Sequence, residues 1–317
     1  MTLEPPVVQS AREGGTRIGV GRCSGTFGEL LQGVLPDRGR KFLVTLPVTR
    51  YSTVRFTTLS RSRDVYVSPS HKEKSRRLAE KLIQILNLDA GGVLHLQSEL
   101  PEGKGHASSS ADMVATALAI QSAFNLSLPP AYLAHIMSNI EPTDGVMYRG
   151  IVSFYHREGA LRKFLGYLPS LTIVALDEGG QVDTIEFNKR CKPFSRTKRA
   201  KYESLLFEAE RAVAHVDLES LGEVSTRSAV MNQEVLPKTH LGLLLDMRER
   251  YDALGVVIAH SGTRLGLLLD PSSPNYLRKL PAIIRELSQH SPDISTYHTH
   301  DFRKAWKTAK TVRRFLV

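Results

Sequence analysis

Between residues 91 and 124 the period of the hydrophobic pattern changes. In Gly91-Gly-Val-Leu-His-Leu-Gln-Ser98, leucines at 94 and 96 alternate with polar residues at 95 and 97, the two-residue period of a strand. From Ala111 to Phe124 the apolar positions 113, 114, 117, 118, 120 and 124 follow the spacing of a buried helix. The same reading predicts strands over 17–24, 41–47, 51–59 and 93–98, and helices over 72–87, 109–124 and 130–139. A strand starts at Gly150 and ends in a turn by Gly159. A new apolar, β-branched run, Leu171 to Leu176, is followed by helices near 196–215, 217–232 and 239–253. Short strands at 255–260 and 264–269 flank a His-Ser-Gly-Thr turn, and two more helices close the chain. The last of these carries apolar residues at 302, 305, 306, 309, 312 and 316 and a solvated basic face. Strands and helices mixed without regular βαβ alternation argue an α+β fold. A composition break around 161–169 sets a boundary, giving a flexible leader over 1–16 and domains over 17–165 and 166–317.

The pattern between strand and helix is Leu100-Pro-Glu-Gly-Lys-Gly-His-Ala-Ser-Ser-Ser-Ala-Asp112. A Gly- and Ser-rich turn that opens a helix aims backbone N–H groups, and the positive end of the helix dipole, at whatever lies there, which favours a phosphate. Gly103 and Gly105 permit close backbone approach, and the hydroxyls of Ser108, Ser109 and Ser110 suit phosphate oxygens or a hydrated magnesium ion. Serines here would also serve as plain helix caps, but one cap residue suffices and leaves the Gly-x-Gly unexplained. The loop is not a Walker A sequence, because Lys104 lies between the glycines, ahead of the serines. It is not a Rossmann fingerprint, because no third glycine follows.

The order Pro101-x-Gly103-x-Gly105-x-x-Ser108-Ser109 resembles the central motif of the GHMP kinases, named for galactokinase, homoserine, mevalonate and phosphomevalonate kinases. Cys23-Ser-Gly-Thr-Phe-Gly-Glu-Leu-Leu-Gln-Gly33 resembles the first motif of that superfamily, and Gly255-Val-Val-Ile-Ala-His-Ser-Gly-Thr-Arg-Leu-Gly266 its third. Together with Leu46-Pro-Val-Thr-Arg-Tyr-Ser-Thr-Val54 and Ile140-Glu-Pro-Thr-Asp144, these segments are similar to the L-threonine kinases of cobalamin biosynthesis, which make O-phospho-L-threonine from ATP and L-threonine. Phe27, where a small residue or Cys is expected, and Gly145-Val-Met depart from the pattern near the expected substrate pocket. The resemblance implies a two-domain architecture: an N-terminal ATP-binding domain like domain 2 of ribosomal protein S5, then a ferredoxin-like C-terminal domain, with the active site between them.

Phosphoryl transfer to an alcohol needs mainly positioning and charge neutralisation. By resemblance, ATP lies on Pro101, Gly103, Lys104, Gly105, His106, Ala107, Ser108, Ser109 and Ser110. The Ser109 hydroxyl and the Glu141 carboxylate are then the expected Mg2+ ligands, although Glu141 also reads as an ordinary acid at a helix end. Asp144, in the turn-forming Glu-Pro-Thr-Asp-Gly, is the candidate general base for the acceptor hydroxyl; it also reads as a plain turn residue. Lys104 either meets a phosphate or coats the surface. An amino-acid acceptor needs partners for its ammonium and its carboxylate. Glu29 fits as ammonium partner or hydroxyl orienter, Ser24, Thr26 and Gln32 as hydrogen-bonding neighbours, and Arg149 or Arg22 as a carboxylate clamp. His260 reads as a structural hydrogen bonder, with its turn buttressing the phosphate loop.

Composition adds bounds. The 317 residues are 41% hydrophobic and 23% charged, as in a globular protein with an ample core. No stretch approaches the ~20 apolar residues of a membrane span, the N-terminus does not read as a secretory signal, and two cysteines suit a reducing compartment. A cytoplasmic protein without a membrane partner is expected. Cys23 reads as a buried thiol. The net charge of +10 admits nucleic acid, but no basic cluster is interleaved with aromatics, and a positive field equally serves an ATP-using enzyme. The expected partners are therefore ATP and a small amino acid, with a homodimer left open. His298-Thr-His300-Asp301 lacks the further ligands of a zinc site. Two rival readings remain: the same fold acting on homoserine, serine or a related alcohol, and a non-catalytic or nucleic-acid-binding protein of this fold. Ser109, Glu141 and Asp144 argue against the second.

Overall fold

A computed structural model describes residues 15–59, 62–180 and 194–301. The chain starts with two long strands, β1 (Ile18–Val34) and β2 (Lys41–Leu59), paired antiparallel from Ile18↔Thr57 to Val34↔Lys41. The alternation that predicts a strand over 17–24 disappears beyond it because β1 becomes buried on both faces: Phe27, Leu30 and Leu31 are fully enclosed. The first motif is therefore strand throughout, with register irregularities between residues 24 and 31 that re-aim its side chains.

β3 (Val65–Ser68) and β4 (Gly91–Ser98) extend the sheet beyond β2, and the hairpin of β5 (Ile151–Tyr155) and β6 (Ala160–Gly166) pairs with β2 through β5. The helices α1 (Glu73–Ile85), α2 (Ser108–Phe124) and α3 (Pro130–Ser138) cover this half. Leu78, Leu82, Met113, Val114 and Ile136 join Phe56 and Leu94 in one core.

β7 (Thr172–Asp177), β8 (Gly255–Ile258) and β9 (Arg264–Leu269) carry the second half, with β10 (Ile294–His298) on the edge beside β7. Four helices accompany them among the described residues: α4 (Arg196–His215), α5 (Leu218–Asn232), α6 (Leu241–Arg250) and α7 (Tyr276–Leu287). The strand order is β10-β7-β9-β8-β1-β2-β4-β3. The two halves are joined within the sheet through the β1–β8 pairing, Glu29↔Ile258, so that junction falls on a residue singled out from the sequence.

β3, β6 and β10 are absent from the sequence reading. Each is short and has a single sheet neighbour, and four to seven residues give too little alternation to register. The boundary expected at 165/166 falls inside β6, one residue before its end. The expected final helix over 302–316 lies outside the described residues. The architecture is the expected α+β one. Among the described residues no helix is long and apolar enough to cross a membrane, and no group of three His, Cys, Asp or Glu gathers to hold a metal, the histidines at 298 and 300 included.

Candidate active site

The loop before α2 is left-handed at Gly103, Gly105 and Ala107 (φ 69°, 83° and 51°). Ala107 is the N-cap of α2 and has no hydroxyl, so the first N–H groups of the helix receive no side-chain cap. This removes the reading of the three serines as caps: Ser108, Ser109 and Ser110 form the first turn itself. A non-glycine residue in that conformation costs about 1 kcal/mol or more, a strain found mainly where function needs the geometry.

Two other segments clamp the loop. The N–H of Gly28 donates to the Gly105 carbonyl at 3.0 Å, and that of Thr26 to the His106 carbonyl at 3.1 Å. From the other side, a Cβ on Gly105 would overlap the Ala259 side chain, and one on Gly262 would overlap the Lys104 backbone. Only glycines allow the 259–263 turn to lie directly on the loop. The His106 ring turns inward, 1% exposed, with Nδ1 on the Thr26 carbonyl at 2.9 Å, Nε2 facing the Tyr297 hydroxyl at 3.3 Å, and Tyr297 stacked at 5.0 Å. Burial pulls its pKa down to about 4, against the bond to Thr26. The His106 ring thus supports the loop from beneath and is not available to a ligand. Phe27 is part of the same cluster, 5.5 Å from His106 and 5.0 Å from Tyr297. It belongs to the core rather than to a substrate pocket, so its departure from the family pattern is one of packing.

Three carboxylates converge beside the first turn of α2. Ser109 Oγ donates to Glu141, whose other oxygen holds the Lys74 ammonium. Ser110 Oγ donates to Asp144 Oδ2 at 3.3 Å, while Thr143 Oγ1 and the Asp144 N–H both donate to Ser110, each at 3.0 Å. The hydroxyl of Ser110 therefore positions the Asp144 turn. Burial pushes the Asp144 carboxyl up to about 7, and the charges of Glu29 and Glu141 add to the shift. Glu29 Oε2 accepts from His260 Nδ1 at 2.9 Å, and His260 Nε2 meets Ser228 Oγ at 2.9 Å, so His260 is a buried structural link.

Lys104 neither coats the surface nor stands free: its ammonium meets Asp177 Oδ2 at 2.9 Å and the Gly180 carbonyl at 2.7 Å. A phosphate contact would share it with Asp177. The other sequence candidates lie less centrally. Thr26 acts through its backbone and Arg149 is exposed, its charge felt by the buried Cys23 thiol. Arg22 stacks over Tyr51 at 3.5 Å. Ser24 is half-buried on β1, and Gln32 lies further along, opposite Leu43. Cys23 is pushed up to about 12 by burial, with Asp112 adding, which suits a structural thiol. Two lysines escape the sequence reading. Lys74 lies in the first turn of α1 with nothing local to mark it, and Lys238 sits in a loop whose burial depends on long-range packing.

Residues 74–150 match the family model described as the GHMP kinases N terminal domain. The L-threonine kinase of Citrobacter freundii is 30% identical over 256 residues, 79% of this chain and 86% of that protein. The chain belongs to the GHMP kinase family. The L-threonine kinase of Salmonella typhimurium is 29% identical, covering 88% of this chain and 92% of its own length. The homoserine kinase structure from Cytophaga hutchinsonii shares the fold with a TM-score of 0.66 at 15% identity, covering 94% of this chain and 98% of that one. As a GHMP kinase the protein is an ATP-dependent enzyme acting on a small molecule, and the region matched by the family model holds the glycine- and serine-rich loop before α2, Glu141 and Asp144.

Proposed function

We propose that this GHMP kinase transfers the γ-phosphoryl group of ATP to the side-chain hydroxyl of L-threonine, giving O-phospho-L-threonine and ADP, a product that would supply the aminopropanol arm of cobalamin. The observation that carries the reading is the Ser110–Asp144 pair. It holds a carboxyl with a pKa near 7 against the uncapped end of α2. The choice of L-threonine among alcohols is supported by the two relatives of that activity.

In this mechanism the triphosphate lies over the first turn of α2 and accepts hydrogen bonds from its free N–H groups. The acceptor oxygen attacks the γ-phosphorus, the bond to the β-phosphate oxygen breaks, and Asp144 takes the hydroxyl proton as charge develops. A carboxyl titrating near neutral pH is well matched to that transfer. Glu29, at the seam between the halves, holds the acceptor ammonium. Ser109 Oγ and Glu141 present two oxygens at hydrogen-bond distance, a donor set that fits Mg2+, which keeps most of its water and takes few protein ligands. Those two residues would hold the ion, and its chemistry there is neutralisation of phosphate charge.

The test is ADP release from Mg-ATP with L-threonine, L-serine, L-homoserine, mevalonate and galactose. Turnover confined to L-threonine is the expected result, and turnover of another alcohol alone would overturn the substrate. Salt-sensitive retention on DNA with no ATP turnover would instead favour the nucleic-acid rival.

A further inference from the structure

Lys238 is a buried ammonium without a paired carboxylate among the described residues. It is 4% exposed, in the loop between α5 and α6. The loop is pinned locally: Lys238 N–H donates to the Gln233 side-chain carbonyl at 2.5 Å, and the Gln233 amide donates back to the Lys238 carbonyl at 3.0 Å. The ammonium donates to the Gly262 carbonyl, its one hydrogen bond among the described residues. A lysine ammonium has three donors, and burying a cation without a counter-ion is costly. Burial draws its pKa down to about 8, although Glu178, Asp177 and Glu29 all act to raise it. Each of those carboxylates has another partner: Glu178 accepts from His240 at 2.8 Å, Asp177 from Lys104 at 2.9 Å, and Glu29 from His260 at 2.9 Å.

The position of this cation is informative. Gly262, which it bonds, lies on the Lys104 backbone of the phosphate loop. Glu29 is electrostatically near both Lys238 and Asp144. An acceptor with its hydroxyl at Asp144 and its ammonium at Glu29 therefore lies on the Lys238 side of the loop. Ser109, Glu141 and Lys74, linked to one another, lie on the Asp144 side, and Glu141 is not among the charges that act on Lys238. The arginines that the sequence offered for a carboxylate are engaged with Tyr51, in the case of Arg22, or exposed, in the case of Arg149.

We infer that Lys238 binds the α-carboxylate of the acceptor and so selects hydroxy amino acids over carboxylate-free alcohols. This rests on the reading of the acceptor as an amino acid. The bound carboxylate supplies the missing counter-charge, and the Gly262 bond aims the ammonium.

The experiment deletes the charge on each side in turn. Steady-state kinetics compare L-threonine with 1-amino-2-propanol, the same amino alcohol without its carboxylate, on the wild type, Lys238→Met and Lys238→Arg, with thermal melting of each protein. In the wild type, loss of the carboxylate is expected to lower kcat/KM by about 10- to 100-fold, the range for a hydrogen bond to a charged group. In Lys238→Met most of that discrimination disappears, the KM for L-threonine rises, and the KM for ATP does not follow it. Lys238→Arg restores part of the discrimination. An equal carboxylate penalty in wild type and variant overturns the inference, and so does a rise in the KM for ATP instead of the acceptor, which would put Lys238 on a phosphate. If Lys238→Met does not fold, the wild type still decides: equal use of the two acceptors overturns the inference. If the wild type prefers another hydroxy amino acid, the L-threonine reading fails. The same cycle with that acceptor and its carboxylate-free analogue then tests Lys238. A preferred acceptor with no carboxylate overturns both.

Discussion

Ser110 and Asp144 are bonded twice: the Ser110 hydroxyl donates to the Asp144 carboxylate at 3.3 Å and accepts from the Asp144 N–H at 3.0 Å. A residue in the first turn of α2 thus fixes the candidate base. Asp144→Asn should lower kcat by about 10²- to 10⁴-fold with little change in the KM for ATP, as expected for loss of a general base. A loss below about tenfold would mean that the acceptor hydroxyl needs no base here. Ser110→Ala should disturb the same step through misplacement of Asp144, with a smaller effect on kcat.

The elevated carboxyl should also set the pH dependence of activity. Asp144 must be ionised to accept a proton, so kcat/KM should rise with pH and level off above about 7. The negative charges of Glu29 and Glu141 contribute to the shift, so their neutralisation should move the inflection down. Glu141→Gln should therefore shift the pH profile to lower pH. A profile flat from pH 5 to 8 in the wild type would remove Asp144 from proton transfer.

Glu141→Gln and Ser109→Ala should each raise the Mg2+ concentration needed for half-maximal activity by about tenfold or more, since the first removes the negative charge and the second one of the two oxygens proposed for the ion. A Mg2+ titration at saturating ATP checks this, and fluorescent-nucleotide binding with and without the ion separates metal affinity from nucleotide affinity. Unchanged Mg2+ dependence in both variants would place the ion elsewhere.

Two buried histidines link stability to pH. His106 and His156 titrate near 4 and 3 in the folded protein because burial disfavours their charged forms. Their unfolded value is about 6.5, so their neutral burial is without penalty above that pH, and stability falls as pH drops below it. From pH 7 to 5 each should cost about 2 kcal/mol. Asp144 acts in the opposite sense, because its folded pKa near 7 lies above the unfolded carboxyl value and protonation on acidification stabilises the fold. Urea unfolding at pH 7 and pH 5 should therefore show a modest loss in the wild type and a steeper one in Asp144→Asn. Equal slopes would contradict the Asp144 assignment.

Gly105→Ala should be among the most damaging small substitutions. Its φ of 83° disfavours any side chain, and the new methyl would overlap Ala259. A cost of about 1–3 kcal/mol is expected for strain of this kind, together with weaker ATP binding as the 259–263 turn lifts from the loop. Chemical denaturation and the KM for ATP report the two effects, and a variant unchanged in both would mean that loop and turn separate freely.

What the chain determines by local pattern is the helices of the described residues, most of its strands and the glycine- and serine-rich loop before α2. These depend on residues adjacent in sequence: the alternation of 91–98, the helical spacing of 111–124 and the glycines and serines between them. The extension of β1 to Val34 escaped, because burial on both faces erases alternation, and β3, β6 and β10 are too short to carry a period. Tertiary structure alone decided the site's division of labour. It placed Ala107 rather than a serine at the helix cap, turned His106 and Phe27 into the core, gave Ser110 to Asp144 and Lys104 to Asp177, and brought Lys74 and Lys238 into play. Those relations join residues 34 positions apart in Ser110 and Asp144 and 231 apart in Glu29 and His260. Local propensity carries no information over such separations. Folding also determines which polar groups lose water, and with it which of them keep charge for a ligand.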